Sequence, residues 1–319
     1  MMKTRYVLLL SLLLLTGASS VQAGQAGCRI ALVLSETSYY ISSMESGFKE
    51  GMVHQGLIEE KNVSYLRVVL PRIENEKIDK EILRKLNETK IDLIVSFGTD
   101  AGLFMARSMN DGQIPLLFAG MTDPVGAGLL ESMEAPPKNH VTGISYTIPP
   151  QMLFKFIHEL LPSVSEVVFL CFPYPADMAY RSFLEKSISK QFVVHYAELS
   201  DQLVIPSKYL KQGRAVLGWY GLYRHQKELS EKYPGTRFIG TNISQLEKGA
   251  LATLSPNDTA MGAETAKMAA DIILRRRNIN EIRPQIPFRY MIGINLPKAG
   301  QLNLAIPETM ISVADRVIR

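Results

Sequence analysis

The sequence predicts an α/β protein of two Rossmann-like lobes, each with a parallel sheet, joined by about three crossovers. Two observations predict this class. Short apolar runs of strand length alternate with amphipathic helical stretches, and the alternation breaks at residues 131–140 and then begins again. Strands that alternate with helices at this interval indicate βαβ units with right-handed connections. We therefore expect lobe 1 over residues 28–145, lobe 2 over 146–254, and a return of part of 255–319 to lobe 1.

In the first lobe, continuous apolar runs indicate strands that are buried on both faces. They predict strands over residues 29–34, 91–97 and 114–118, and a stretch of alternating character predicts another over 63–70. Apolar spacings of three and four residues predict helices over residues 41–56, 77–89 and 98–109. The stretch IPLLFAGMTDPVGAGLL, residues 114–130, is predicted as a strand, a polar loop and a helix start at 125–128. In an open parallel sheet, the loop after a strand is where ligands bind.

The second lobe repeats the pattern. A short strand over residues 141–146 leads across to it, and further strands are predicted over 167–172, 192–197, 215–220, 238–240 and 249–254, with an extended stretch at 286–294. Helices are predicted over 151–161, 178–189, 203–211, 223–232, 261–277 and 308–318. The loops that follow the strands of both lobes should therefore face one another.

Composition limits the classes of function. Of 319 residues, 46% are apolar and 21% are charged, which is typical of a globular protein with room for two domains. Removing Lys3 and Arg5 with an expected leader segment leaves 33 of the 35 basic residues against 31 acidic ones. So small an excess of basic residues does not indicate the positively charged surface that binds nucleic-acid phosphates. We therefore expect no nucleic-acid partner.

Residues 1–23 have the pattern of a secretory signal peptide, with a basic start, an apolar core over 7–15 and small residues before the end. The apolar core is too short to span a bilayer as a helix. We therefore expect a periplasmic protein. Cys28 is an alternative lipid-anchoring site because Ala26 and Gly27 precede it, but Gln25 fits such a site poorly.

Cys28 and Cys171 are the two cysteines. An even number of cysteines in an oxidising compartment is compatible with a disulfide. Each cysteine belongs to an apolar strand run, and the two runs fall in different lobes. We therefore expect two buried free thiols.

The candidate ligand-binding residues lie at the predicted strand exits, where hydroxyls, acids and aromatic rings gather. They are Ser35, Tyr39, Tyr40, Thr99, Asp100, Asp123, Tyr146, Tyr174, Trp219, Tyr220 and Asn242. The aromatic group includes Tyr223 as well. For Thr99, Asp100 and Asp177, capping of a helix is an alternative role. For Asp123, which precedes a proline, a turn stabilised by its own side chain is the alternative.

Motifs for catalysis are absent from the sequence. It contains no Gly-x-Ser-x-Gly elbow, no P-loop and no complete dinucleotide fingerprint, and its five histidines lack the spacing of zinc ligands. We therefore expect no cofactor, no metal and no enzymatic activity. An enzyme that uses Asp123 or Asp100 as a base is the alternative.

Several segments together resemble one family of proteins. They are IPLLFAGMTDPVGAGLL, then VTGIS at 141–145, LLP at 160–162, NLPKA at 295–299 and IPE at 306–308. This combination resembles the ABC-transporter substrate-binding family that includes tryptophan- and tyrosine-type importer receptors. The resemblance implies a type I periplasmic-binding-protein fold, with Thr99 and Asp123 at loop positions that hold the polar end of an amino acid. Two segments depart from the family pattern, residues 137–140 and 218–221.

The sequence and the resemblance together predict an exported, monomeric receptor of an ABC importer. It would bind a small, aromatic and amino-acid-like solute between its lobes and pass it to a membrane permease. The alternative is a ligand sensor of the same fold that docks on a membrane sensor kinase or cyclase.

Overall fold

The computed structural model describes residues 27–71, 76–108, 114–187, 193–211 and 213–319. The expected signal peptide, and the predicted element ends at 109, 188, 189 and 192, lie outside these residues. Within them, the strands form two separate sheets of five and seven strands. No helix in the described ranges is long and apolar enough to cross a membrane.

The first sheet has the strand order β2-β1-β3-β4-β5, and every neighbouring pair is parallel. Its strands are β1 (Cys28–Leu34), β2 (Val63–Val69), β3 (Leu93–Phe97), β4 (Leu116–Met121) and β5 (Val141–Ser145). The connecting helices are α1 (Tyr39–His54), α2 (Glu76–Glu88) and α3 (Thr99–Ser108). Strands β3, β4 and β5 are buried along their whole length. Burial on both faces is typical of the interior of a parallel sheet that is covered by helices.

The second sheet has the order β12-β11-β10-β9-β8-β6-β7. Its strands are β6 (Glu166–Cys171), β7 (Val193–Glu198), β8 (Ala215–Gly218), β9 (Arg237–Gly240), β10 (Ala252–Pro256), β11 (Tyr290–Asn295) and β12 (Arg316–Ile318). Its helices are α4 (Pro150–Leu160), α5 (Pro175–Ser187), α6 (Tyr220–Lys232), α8 (Leu296–Gln301) and α9 (Glu308–Ser312). The pairings are parallel except between β10 and β11, which run antiparallel.

Helix α7 (Asp258–Ile273) follows β10 of the second sheet but packs against α1 and β4 of the first. Two glycines allow the close approach of α1 and α7. A Cβ on Gly47 would lie 2.1 Å from the Thr259 carbonyl oxygen, and one on Gly262 would lie 2.0 Å from that of Met44. The chain passes between the sheets at three places. These are residues 146–149, the segment before α7 and the segment after α7.

The predicted helix start at residues 125–128 is wrong, because these residues form turns. The Gly126 backbone N–H donates to Asp123 Oδ1 at 2.8 Å, and Gly128 has a φ of +76°. A side chain that accepts the N–H of a residue just after it favours a turn over a helix. A residue with left-handed backbone angles a few positions later has the same effect.

The predicted helix over residues 203–211 is also wrong. The structure has a single 3₁₀ turn there, Ser207–Tyr209, and Leu203 has a φ of +52°. Pro206 disfavours helical geometry in the residue before it, which explains why the helix does not form across this point.

The predicted closing helix over 308–318 is too long. Helix α9 ends at Ser312, and the chain then adds β12 to the edge of the sheet, where Val317 pairs with Ile294. The apolar spacing of this segment suits either element, and the unpaired edge of β11 decides for the strand.

Both cysteines are free, as expected. Cys171 is buried, but Cys28 is only half-buried. Burial raises the pKa of both thiols to about 12.

Candidate functional site

The carboxyl ends of strands from both sheets surround one cavity of about 30 Å³. The first sheet contributes Thr99 after β3, and Gly120 and Thr122 around the end of β4. The second contributes Trp219 after β8 and Thr241 after β9. The lining is completed by Tyr40, Tyr146, Ala176, Tyr220, Tyr223 and Asn242. A volume of this size has room for about one or two water molecules.

A second, smaller cavity of about 10 Å³ adjoins the central one. The two share Tyr40, Thr99, Ala176 and Tyr220 in their linings. The smaller cavity is lined in addition by Ser35, Asp100 and Tyr174. The gap between the sheets therefore has an aromatic centre and a more polar end that includes one acid.

Trp219 forms one wall of the central cavity. Its ring stacks on that of Tyr180, with centroids 3.6 Å apart and planes 9° apart. Its Nε1–H donates to Thr122 Oγ1 at 3.0 Å, and the Tyr146 ring meets it nearly edge-on at 6.0 Å. Because contacts fix one face and two edges, the indole is held in one orientation.

Tyr180 does not line the cavity, but it lies behind Trp219. It is completely buried, and its hydroxyl donates to the Ile148 carbonyl at 2.9 Å. Ile148 belongs to the segment 146–149 that joins the two sheets. The stack behind the cavity is therefore attached to a crossing point of the chain.

A polar network lies around Asn242 and Asp258. The Asn242 Nδ2 group donates to the Tyr146 hydroxyl at 3.1 Å and to Asp258 Oδ2 at 3.2 Å. Asp258 Oδ1 is buried and has no hydrogen-bond partner in the described part of the chain. Burial raises the pKa of Asp258 to about 7, against the opposite effect of hydrogen bonds from Tyr146 and Asn242. The loss of hydration thus outweighs these hydrogen bonds.

Opposite charges meet across the gap at its edge. Arg224 Nη1, on α6, lies 3.7 Å from Glu36 Oε2, in the loop after β1. The same nitrogen donates to the Tyr220 hydroxyl at 3.0 Å. The Glu36 side chain is 8% exposed, so this pair is screened by water less than a surface pair is. On the same side, the ring of Tyr40 on α1 contacts that of Tyr223 on α6, with centroids 5.3 Å apart.

Two helices that begin at the cleft are capped by side chains from elsewhere in the chain. The Ala101 N–H of α3 donates to Ser35 Oγ at 2.9 Å, and the Gly221 N–H of α6 donates to Asp177 Oδ2 at 2.8 Å. Asp177 therefore caps α6 and not its own helix α5. Burial raises the pKa of Asp177 to about 8, although hydrogen bonds from the backbone oppose the shift.

The structure brings most of the predicted ligand-binding residues together. Six line the central cavity: Tyr40, Thr99, Tyr146, Trp219, Tyr220 and Asn242. Ser35, Asp100 and Tyr174 line the adjoining one. Thr99 Oγ1 accepts the Thr122 N–H at 3.0 Å, so it connects the exits of two neighbouring strands.

Two predicted residues lie elsewhere. Tyr39 is 59% exposed, because it begins α1 and neighbouring residues on a helix face different directions. Asp123 lines neither cavity, and its carboxylate accepts the Gly126 N–H, which is the turn role considered as the alternative. A ligand role for either residue stays a prediction.

The sequence analysis named Tyr223 only in the aromatic group, and it did not select Gly120, Thr122, Ala176 or Thr241, although all five line the central cavity. Thr122 and Thr241 have a recognisable signal, since each is next to a selected residue at a strand exit. Ala176 has none, because an alanine in the first turn of a helix is ordinary.

The two α/β sheets, which enclose a gap at their carboxyl edges, have the type I periplasmic-binding-protein fold. The family model of the ABC transporter substrate binding proteins matches residues 29–198. The chain therefore belongs to this family, whose members are solute-binding receptors. A search of curated proteins finds no match.

Solved structures agree with this fold. A conserved domain protein from Vibrio cholerae is similar with a TM-score of 0.79 at 22% identity, covering 91% of this chain and 99% of that one. An ABC domain from Streptococcus pneumoniae, in complex with L-Trp, has a TM-score of 0.74 at 18% identity, covering 91% and 100%. A ligand-free, open substrate-binding protein with adhesive properties from Clostridium difficile has a TM-score of 0.70 at 18% identity, covering 91% and 99%.

Proposed function

We propose that this protein is the exported receptor of an ABC importer and binds a small, aromatic, amino-acid-like solute between its lobes. One observation carries the proposal: five aromatic rings from both sheets line one cavity at the strand ends. They are Tyr40, Tyr146, Trp219, Tyr220 and Tyr223. Flat rings bury well against such walls and gain from offset or edge contacts.

The solute is proposed to lie across both cavities. Its ring would occupy the aromatic centre against the free face of Trp219. Its ammonium group would point into the adjoining cavity, toward Asp100 and the hydroxyls of Ser35 and Thr99. The shared lining of the two cavities supports a single ligand that extends through both. The L-Trp bound to the Streptococcus pneumoniae protein supports an aromatic amino acid as the first class to test.

Entry of such a solute requires the lobes to separate, because about 30 Å³ is too small for an amino acid. We propose a hinge motion in which residues 28–145 and 146–254 move as units, with part of 255–319 following the first. The contacts from Trp219 to Thr122 and from Arg224 to Glu36 would break on opening, and the lobes would then close around the solute with a larger cavity between them.

The cellular part of the proposal rests on the sequence. Residues 1–23 are proposed to direct export to the periplasm, where the monomeric receptor would deliver its solute to a membrane permease. The alternative is that a lipid attached to Cys28 anchors the protein to the membrane after the signal peptide has been removed.

The test is a thermal-shift screen of amino acids on the purified protein, followed by calorimetric titration of the hits. A ligand at about 100 times its Kd should stabilise the fold by about 2.7 kcal/mol. Tyr220→Leu removes one ring of the cleft and should weaken binding about tenfold or more. The matched control is Phe288→Leu, since Phe288 is 65% exposed and lines neither cavity of the cleft.

Two results would contradict the proposal. One is the absence of stabilisation by any aromatic amino acid, and the other is equal loss of binding in Tyr220→Leu and Phe288→Leu. Uptake assays on cells that lack the gene separate import from sensing, because a sensor would leave solute uptake unchanged.

A further inference from the structure

A further cavity, of about 230 Å³, lies where strands β8 and β9 begin. The cleft lies at the carboxyl ends of these strands, so this cavity is at the other end of the second sheet. Residues 209–211, 213–214 and 235–237 form most of its wall, with Val216 and Leu302. It shares no lining residue with either cavity of the cleft.

Two arginines reach this cavity from adjacent strands. Arg237 begins β9 and pairs in register with Ala215 of β8, which directly follows Arg214. The charge of Arg214 is balanced by Glu166. Its Nε donates to Glu166 Oε2 at 2.8 Å, its Nη2 donates to the same oxygen, and its Nη1 donates to the Lys208 carbonyl at 2.9 Å.

Arg237 has no such partner. Its Nη1 is shielded from solvent and makes no hydrogen bond within the described part of the chain. No acidic residue is among the described residues that line the cavity, whereas Lys211 adds a second positive charge to it. The Arg237 side chain is half-buried, and together with Lys211 it leaves an excess of positive charge on the cavity wall, which attracts an anion.

We infer that this cavity is an anion site, in which Arg237 and Lys211 hold a small oxyanion, either a phosphate or a carboxylate. The planar guanidinium fits two oxygens of either group through parallel N–H···O bonds. A Glu166 oxygen accepts two N–H groups of Arg214, and the oxygens of the ligand would accept from Arg237. The anion can come from solution or from the phosphate headgroup of a lipid, since both present the same oxygens.

The experiment is calorimetric titration of the purified protein with inorganic phosphate and with citrate, at constant ionic strength set by chloride. Saturable binding is expected, and Arg237→Gln should weaken it at least tenfold. Arg237→Lys keeps the charge and should retain part of the affinity. The matched control is Arg283→Gln, which removes an exposed arginine outside the cavity and should bind like the unaltered protein.

Vesicle sedimentation separates the two sources of the anion. Binding to phosphatidylglycerol vesicles alone, lost in Arg237→Gln and absent with phosphatidylcholine, would assign the headgroup. Binding of free phosphate or citrate without vesicle binding would assign a soluble anion. The inference is overturned if none of these probes binds saturably, or if Arg237→Gln and Arg283→Gln bind alike. Neither result affects the proposed solute cleft, whose ligand Arg237→Gln should bind normally.

Discussion

The indole Nε1–H of Trp219 donates to the hydroxyl of Thr122 across the gap between the two sheets, at 3.0 Å. Trp219 follows β8 of the second sheet, and Thr122 follows β4 of the first. Both groups are buried, at 3% exposure each, so neither has water as a full alternative partner. This hydrogen bond therefore links the two sheets at the wall of the aromatic cavity.

Trp219→Phe and Thr122→Val should each destabilise the protein, and their effects should not add. A buried hydrogen bond contributes about 1 kcal/mol net, so a double-mutant cycle should give a coupling energy of about that size. Urea denaturation followed by circular dichroism measures it without relying on the tryptophan signal. A coupling energy of zero within error would show that the two residues do not interact in solution.

Tyr180 should affect the binding of aromatic solutes without touching them, because it fixes the ring of Trp219 from behind. Tyr180→Phe keeps the stacked ring and loses only the hydrogen bond to Ile148. Tyr180→Leu loses both. We expect Tyr180→Leu to weaken L-phenylalanine binding several-fold more than Tyr180→Phe does.

A comparison ligand separates positioning from general damage to the fold. Cyclohexylalanine has similar bulk but cannot stack, so its affinity should change much less between the two Tyr180 variants. Equal losses for both ligands would mean that Tyr180 serves the fold alone.

The free energy of unfolding should fall as the pH rises from about 4 to about 8. Burial raises the pKa of Asp258 to about 7 and that of Asp177 to about 8, from an ordinary value of 3.8. Between these values the folded state holds a proton that the unfolded state has released. The stabilisation is therefore complete below about pH 4 and is lost as the pH rises through about 7 and 8.

Each group accounts for a slope of about 1.4 kcal/mol per pH unit inside its window. Asp258→Asn and Asp177→Asn should each flatten the pH profile of unfolding measured by urea titration. Asp201→Asn, which removes an exposed acid, is the control and should leave the profile unchanged. A profile that is already flat in the unaltered protein would contradict the buried, protonated state of both acids.

Gly262→Ala should destabilise the protein, because the added Cβ would meet the Met44 carbonyl oxygen at 2.0 Å and push α7 away from α1. Overpacking of this kind typically costs about 1–3 kcal/mol. Gly300→Ala is the control, since its Cβ would have no neighbour within 4 Å and the residue lies in α8. Thermal unfolding of both variants measures the difference, and equal melting temperatures would contradict the close packing of these helices.

Much of the fold could be predicted because buried parallel strands have a strong local signature. Residues 29–34 and 91–97 are mostly apolar and of strand length, and they cover most or all of β1 and β3, two interior strands of the first sheet. The errors fall where local pattern and tertiary context disagree. The apolar spacing of 308–318 suits a helix, but the last residues of this segment pair with the edge strand β11 and form β12.

The candidate site could be predicted in part, for a related reason. Thr99, Trp219 and Asn242 were selected because they follow strands, and parallel sheets place strand exits at one edge. Asp123 met the same criterion, but its carboxylate accepts a nearby backbone N–H. Tyr180 and Asp258 could not have been found this way, because each reaches the site from the body or start of a helix.

The sequence alone determined the two series of strands and helices, the edge at which the loops that line the cleft gather, and the family of the protein. These follow from local apolar patterns and short motifs, which do not depend on distant parts of the chain. Only the tertiary structure decided which side chains face the gap. It also decided that Trp219 stacks on Tyr180, and that Arg237 Nη1 makes no hydrogen bond to any described residue. Such pairings depend on residues that are far apart in the chain and adjacent only after the two sheets have packed.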